Sequence, residues 1–160
     1  MMQEKEYLEL LIQSLKKKLL LLNRISVLNQ DQRDILQDDN AAPDAFDINV
    51  RDKDDLVRQI VALDAGFDEV YARIKAIMER DHSAYEPQLQ QMRELIRLIM
   101  AKDASVRAEE QRNYKLAQQK FANVKKQVRE VKASQKMVNS YYQNMMKQSR
   151  YEPQFMDRKK

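Results

Sequence analysis

Few residues in this sequence could do chemistry. There is one histidine, His82, and no cysteine. A histidine that binds metal or moves protons needs partners, and here they would have to be carboxylates alone. His82 lies in the short polar stretch Asp81-His82-Ser83-Ala84, which reads as a turn, so a surface position is expected. Carboxylates do cluster, with seven aspartates between Asp38 and Asp55. A calcium loop of the EF-hand type needs a glycine at its sixth position and a glutamate at its twelfth, and neither fits here. These acids are expected to cap a helix and to lie near its N-terminus, where the helix dipole favours negative charge. A carboxylate-bridged metal bundle needs Glu-x-x-His pairs on its helices, which one histidine cannot supply. With one glycine, Gly66, no glycine-rich phosphate loop can form. No Ser-His-Asp or Cys-His set presents itself. The sequence therefore points away from catalysis, cofactors and metals, and the missing cysteine excludes disulfides and thiolate metal sites.

What remains is recognition, and charge gives the first indication of a surface for it. Residues 1–80 hold 12 Lys and Arg against 16 Asp and Glu, and residues 81–160 hold 17 against 9. Within 111–150 there are ten bases and one acid, Glu130. Such a run is either a solvated helix face or a surface for an anionic partner: nucleic acid, a membrane surface or an acidic protein.

The elements that must position this run are helices. At 160 residues with one glycine, three prolines and 34% charged side chains, the chain has little material for turns and no strand-forming clusters. The fold expected is all-α, an antiparallel bundle of three long helices spanning 1–148, followed by a disordered charged tail at 149–160. In the first helix, about Glu4 to Gln37, Leu8, Leu11, Leu15, Leu19 and Leu22 recur three and four apart. Ile12, Leu20 and Leu21 widen this stripe as if it met two helices. The later stretch Asn29 to Arg33 is polar on most sides and is expected to be less buried. Asn40 and Pro43 then punctuate the chain. The second helix covers at least Val50 to Arg80, on the stripe Leu56, Ile60, Leu63, Phe67, Val70, Ile74 and Ile77. Gly66 inside it costs about 1 kcal/mol relative to alanine, which suggests a close helix approach or a slight bend there.

The third helix is the longest, beginning near Ser83 to Pro87. Ser83 and Glu86 have capping-box spacing, while Pro87 suits a first helical position. Tyr85, Leu89, Met92, Ile96, Ile99 and Val106 form its first stripe. Between Lys102 and Lys115 the stripe weakens, with Asp103, Glu110 and Asn113 at positions where apolar residues are expected. Two readings follow: the helix leaves the shared bundle and becomes solvated, or polar groups from two helices meet in a buried layer. Helix length favours the first in part, and a bend or split at 101–115 is left open. Beyond Leu116 the apolar residues return as Phe121, Val124, Val128, Val131, Val138, Tyr141, Tyr142 and Met145. On a helix with too few neighbours this is either ordinary core or a rail for a partner, and methionine and tyrosine suit varied partners. Lys125, Lys132 and Lys136 flank it.

Three stretches carry a resemblance. They are YLELLIQSLKKKLLLLNRISVLNQDQRDIL from Tyr7 to Leu36, FDINVRDKDDLVRQIVALDAGFDEVYARI from Phe46 to Ile74, and the late QRNY at 111–114 with VNSYYQNM at 138–145. Together they resemble the FlgN/FliT-type flagellar export chaperones, especially the versions from Gram-positive bacteria. The resemblance implies a small helical, cytoplasmic protein without enzymatic activity. Its partners would be hook-filament junction proteins or the filament-cap protein, together with components of the export apparatus. It would keep its client from assembling early and deliver it for export, as a monomer or homodimer. In the family the client is held mainly through the C-terminal helical region. Here that region carries Phe121, Val124, Val128, Val131, Lys132, Val138, Tyr141, Tyr142 and Met145.

Other classes of function compete. The basic late helix could bind nucleic acid, but its aromatic residues form no interleaved stacking platform and no reader motif is visible. A coiled-coil adaptor is a further alternative, although the heptads are irregular. The N-terminal residues are acidic where a signal peptide would be basic. The runs Leu10-Leu11-Ile12 and Leu19 to Leu22 are too short to span a bilayer. A soluble, cytoplasmic protein is therefore expected.

Overall fold

The computed structural model describes residues 4–80 and 82–142, without the side chains at 77, 78, 82 and 133–142. Three helices and one short 3-10 turn account for nearly all of it: α1 (Glu4–Gln37), α2 (Ala45–Arg80), the turn His82–Tyr85 and α3 (Glu86–Tyr142). The expected all-α three-helix architecture is the one observed, and there is no strand among the described residues. No helix among them is long and apolar enough to cross a membrane. Two compact units divide the chain, Met1–Tyr114 and Lys115–Lys160. The helix assignment of α3 runs unbroken through 101–115, with residues up to Tyr114 belonging to the first unit. The tail expected at 149–160 lies outside the described residues.

The helix starts, and the end of α1, fall where local chemistry asks. Glu4 and Glu6 occupy the first turn of α1, next to the unpaired N–H groups of the helix start. After Gln37 the chain turns: the Asn40 amide donates to Asp38 Oδ1 at 2.9 Å and the Ala41 amide to the Asp38 carbonyl at 3.2 Å. Pro43 follows, and α2 starts two residues later with Asp47 in its first turn. The aspartate cluster thus works as turn closure and helix-start charge, and no group of acids among the described residues is placed to hold a metal ion. Pro87 lies in the first turn of α3, where its missing N–H costs nothing.

Side-chain hydrogen bonds fix the directions of the helices in the first unit. From α1 to α2, Lys18 meets Asp64, Leu28 meets Asn49 and Asn29 meets Lys53, so the two run antiparallel. From α1 to α3, Ser26 meets Glu109 and Gln32 meets Asn113, so these two run parallel. The order is up, down, up, with α1 as the most enclosed helix. Leu8, Leu11, Ile12, Leu15, Leu21, Leu22 and Ile25 of α1 form the core with Leu56 and Ile74 of α2 and Met92, Ile99 and Val106 of α3. Each such side chain contributes about 1.5–3 kcal/mol on full burial. The widened stripe on α1 is explained for Ile12 and Leu21, which are buried; Leu20 instead faces outward.

Of the two readings of Gly66, the close helix approach is not found. The residue is exposed, and a Cβ built on it would meet nothing within 4 Å. No helix approaches closely enough to require glycine there.

Candidate functional site

The most organised group of polar side chains lies inside the first unit, at the level where the α3 stripe weakens. The solvated reading of that stretch fails at Asn113, and the lesser burial expected of Asn29 to Arg33 fails at Asn29 and Gln32, while Gln30, Asp31 and Arg33 are exposed. Asn29 is 1% exposed, and Gln32, Asn49, Lys53 and Asn113 are also buried. These residues occupy core positions. Asn29 and Gln32 continue the spacing of Leu22 and Ile25, while Asn49 and Lys53 lead into Leu56. Asn113 comes seven residues after Val106, itself seven after Ile99. Three helices therefore bring polar groups to a single layer of the bundle.

Lys53 is the centre of that layer. Its Nζ donates to Asn29 Oδ1 at 2.9 Å, to Gln32 Oε1 at 3.1 Å and to Glu110 Oε1 at 2.7 Å. An ammonium has three donors, and all three are used. Asn113 Nδ2 donates to the Asn29 carbonyl at 2.8 Å and to Gln32 Oε1 at 3.1 Å. Glu109 accepts from Ser26 and Asn29. Asn49 Nδ2 donates to the Leu28 carbonyl at 2.9 Å, and its Oδ1 is buried with no partner among the described residues. Buried polar groups of this kind must be bonded to one another or they destabilise the fold. The network turns inward, and it holds no nucleophile, base and orienting group in sequence. Its bonds join all three helices.

The residues expected to bind a partner lie in the second unit. Phe121, Val124 and Val128 are half-buried, while Val131 is 57% exposed and Lys132 is also exposed. The helix assignment includes Val138, Tyr141 and Tyr142, but their side chains lie outside the described residues, as does Met145 altogether. On α3, Val124, Val128 and Val131 follow one another at four and three residues, so they share a face, with Lys125 and Lys132 along one edge of it. Lys125 is exposed too. From Lys115 to Tyr142 the only acid is Glu130, against seven bases. Among the described residues, this unit consists of that one helix.

One titrating pair is resolved on the surface of the first unit. Arg97, three residues on, donates to the Glu94 carboxylate. That hydrogen bond, with the added attraction of the guanidinium charge, holds Glu94 below its ordinary carboxyl range and raises Arg97. Both side chains are exposed, and they form a helix-surface pair.

No protein family, curated protein or solved structure matches this chain. The functional reading therefore rests on the residues and their arrangement.

Proposed function

We propose that this protein is a cytoplasmic client-holding chaperone of the flagellar export type, without catalytic activity. It binds an amphipathic helical segment of a hook-filament junction protein or of the filament cap along the late part of α3. Covering that segment keeps the client from assembling early and lets it be passed to the export apparatus. The observation that carries this reading is the exposed Val131 on an apolar face of a basic helix. An apolar side chain exposed on an amphipathic helix is stabilised by a second helix laid against it, and a client helix in that position is a recurrent mode of peptide recognition. Lengths support the same reading. Gln32 meets Asn113, and α1 ends five residues later at Gln37, whereas α3 continues for 29 residues to Tyr142. Lysines beside the face favour an acidic client segment and set its orientation.

The test is co-purification with each candidate client from the same genome: both junction proteins, the cap and flagellin. Light scattering after gel filtration at moderate salt gives the mass. A one-to-one complex with one of them is expected, lost when the chain is truncated at 120 and weakened by Val131→Asp. Failure with all four, together with salt-sensitive binding to DNA or RNA, refutes the reading and makes the basic helix a nucleic-acid surface.

A further inference from the structure

A groove of about 390 Å³ opens on the first unit, away from the polar layer. Leu15, Leu63, Phe67 and Ile99, one from α1, two from α2 and one from α3, supply its apolar lining. In a tightly packed three-helix core this volume would be filled by side chains. Here Met100, on the rim, is 67% exposed, and Ile96 beside it is also solvent-facing. The seam between α2 and α3 is thus open at this level, and two large apolar side chains stand at its edge.

Charge gives the groove a polarity. Asp64 and Asp68 lie one helical turn apart on the α2 side. Lys18 answers Asp64 at 2.9 Å, whereas Asp68 is exposed and has no ion-pair partner among the described residues. A ligand that fits must bring apolar side chains at helical spacing and a cation on one flank. The chain itself contains such a segment. Val124, Val128 and Val131 form an apolar face, and Lys125 and Lys132 flank it on one side. The charge balance of the two units is also opposite. Met1–Tyr114 holds 17 bases and 22 acids, a balance of −5, and Lys115–Lys160 holds 12 and 3, a balance of +9.

We infer that this groove is a self-association site, which takes the basic apolar face of the late helix from a second copy of the chain. The incoming helix lies along the α2–α3 seam as a fourth helix. Its valines cover Phe67 and Met100, and a lysine reaches Asp68. Methionine on the rim suits this role because its unbranched thioether adapts to the surface it meets. The inference goes beyond the client reading and stands or falls without it, since no client is present in the measurement.

The experiment is sedimentation equilibrium of the full chain over a range of concentration, at low and at high salt. The expected mass exceeds the 19.0 kDa of one chain at low salt, rises with concentration and falls back with salt. Asp68→Lys, Met100→Glu and the pair Lys125→Glu with Lys132→Glu should each weaken association by about tenfold or more, because each sets like charge or a charge against the contact. All four positions are exposed, and circular dichroism verifies that each variant keeps its helix content. Mixing the Asp68→Lys chain with the Lys125→Glu, Lys132→Glu chain should restore association that neither shows alone. A mass of 19.0 kDa at every concentration overturns the inference. So does self-association that neither Asp68→Lys nor Met100→Glu weakens.

Discussion

Replacing Lys53 by methionine removes the ammonium from the polar layer and keeps most of the side-chain stem. Three acceptors lose a donor, with unequal consequences. Gln32 Oε1 keeps the bond from Asn113 Nδ2 at 3.1 Å. Glu110 has a side chain 47% exposed, so water takes the place of the ammonium and the lost pair is worth less than about 1 kcal/mol. Asn29 Oδ1 is different. Its residue is 1% exposed, and among the described residues Lys53 is its only donor. A stranded buried acceptor costs about 1–3 kcal/mol. Releasing the ammonium from its own desolvation offsets part of the total, and no uncompensated buried charge is left behind. The loss should therefore be about 1–3 kcal/mol, below the roughly 3–5 kcal/mol of a fully buried broken ion pair. Urea unfolding followed by the helical circular dichroism signal measures it, provided the slope with denaturant is unchanged. Adding Asn29→Leu removes the stranded oxygen, and the double variant should lie within about 1 kcal/mol of the parent, since replacing both partners by apolar groups is nearly neutral. A loss below about 0.5 kcal/mol for Lys53→Met alone, or a double variant much weaker than the single, would refute this assignment of the cost to Asn29.

Other consequences can be measured in the same way. Gly66→Ala should stabilise the protein by about 0.4–1 kcal/mol, because the site is an exposed helix interior with room for a Cβ; a destabilised variant would mean that the glycine is needed. Ile74→Ala should cost about 2–5 kcal/mol in urea unfolding, since Ile74 is 1% exposed and closes the core between α1 and α2. By NMR titration the Glu94 carboxyl should ionise below the ordinary glutamate range, and Arg97→Leu should bring it back up. The depressed value means that the contribution of Glu94 to stability is present above the unfolded-state pKa and is lost as pH falls through the folded one; Arg97→Leu should therefore lower stability slightly at neutral pH, and the difference from the parent should vanish at acid pH.

Periodicity carried most of the helix boundaries. The stripe from Leu8 to Ile25 and the turn residues after Gln37 are local signals, and α1 ends where they say. Leu56 to Ile74 likewise announced the inner face of α2. The polar layer was legible only as one of two alternatives for α3, because a hydrophobic pattern registers only apolar contact. Asn29, Gln32, Lys53 and Asn113 look like interruptions when each helix is taken alone. Their meaning depends on all three interruptions falling at one level, and that requires the register between helices. A usable signal was present: these residues keep three-, four- and seven-residue spacing with Ile25, Leu56 and Val106. The close approach considered for Gly66 is absent, and for a related reason the sequence could not show this, since its spacing gives no indication of which helix, if any, lies near it. Val131 could be placed on the apolar face and Lys132 at its edge from spacing alone, whereas their exposure could not.

The up-down-up arrangement also sets an order in time. Lys53 finds two of its acceptors, Asn29 and Gln32, 24 and 21 residues back, within the α1–α2 hairpin. Its third acceptor, Glu110, is 57 residues further on, and Asn113 is 84 residues from the Asn29 carbonyl it binds. As the chain emerges during synthesis, the hairpin can close early, yet one donor of the Lys53 ammonium then has only water to bind and an apolar face is uncovered. Closure of the longer-range contacts is the slower step. Until α3 has been made as far as Asn113, the nascent hairpin is both incomplete in its hydrogen bonding and adhesive. The interval between about residue 80 and residue 113 is therefore where this protein would itself depend on being shielded.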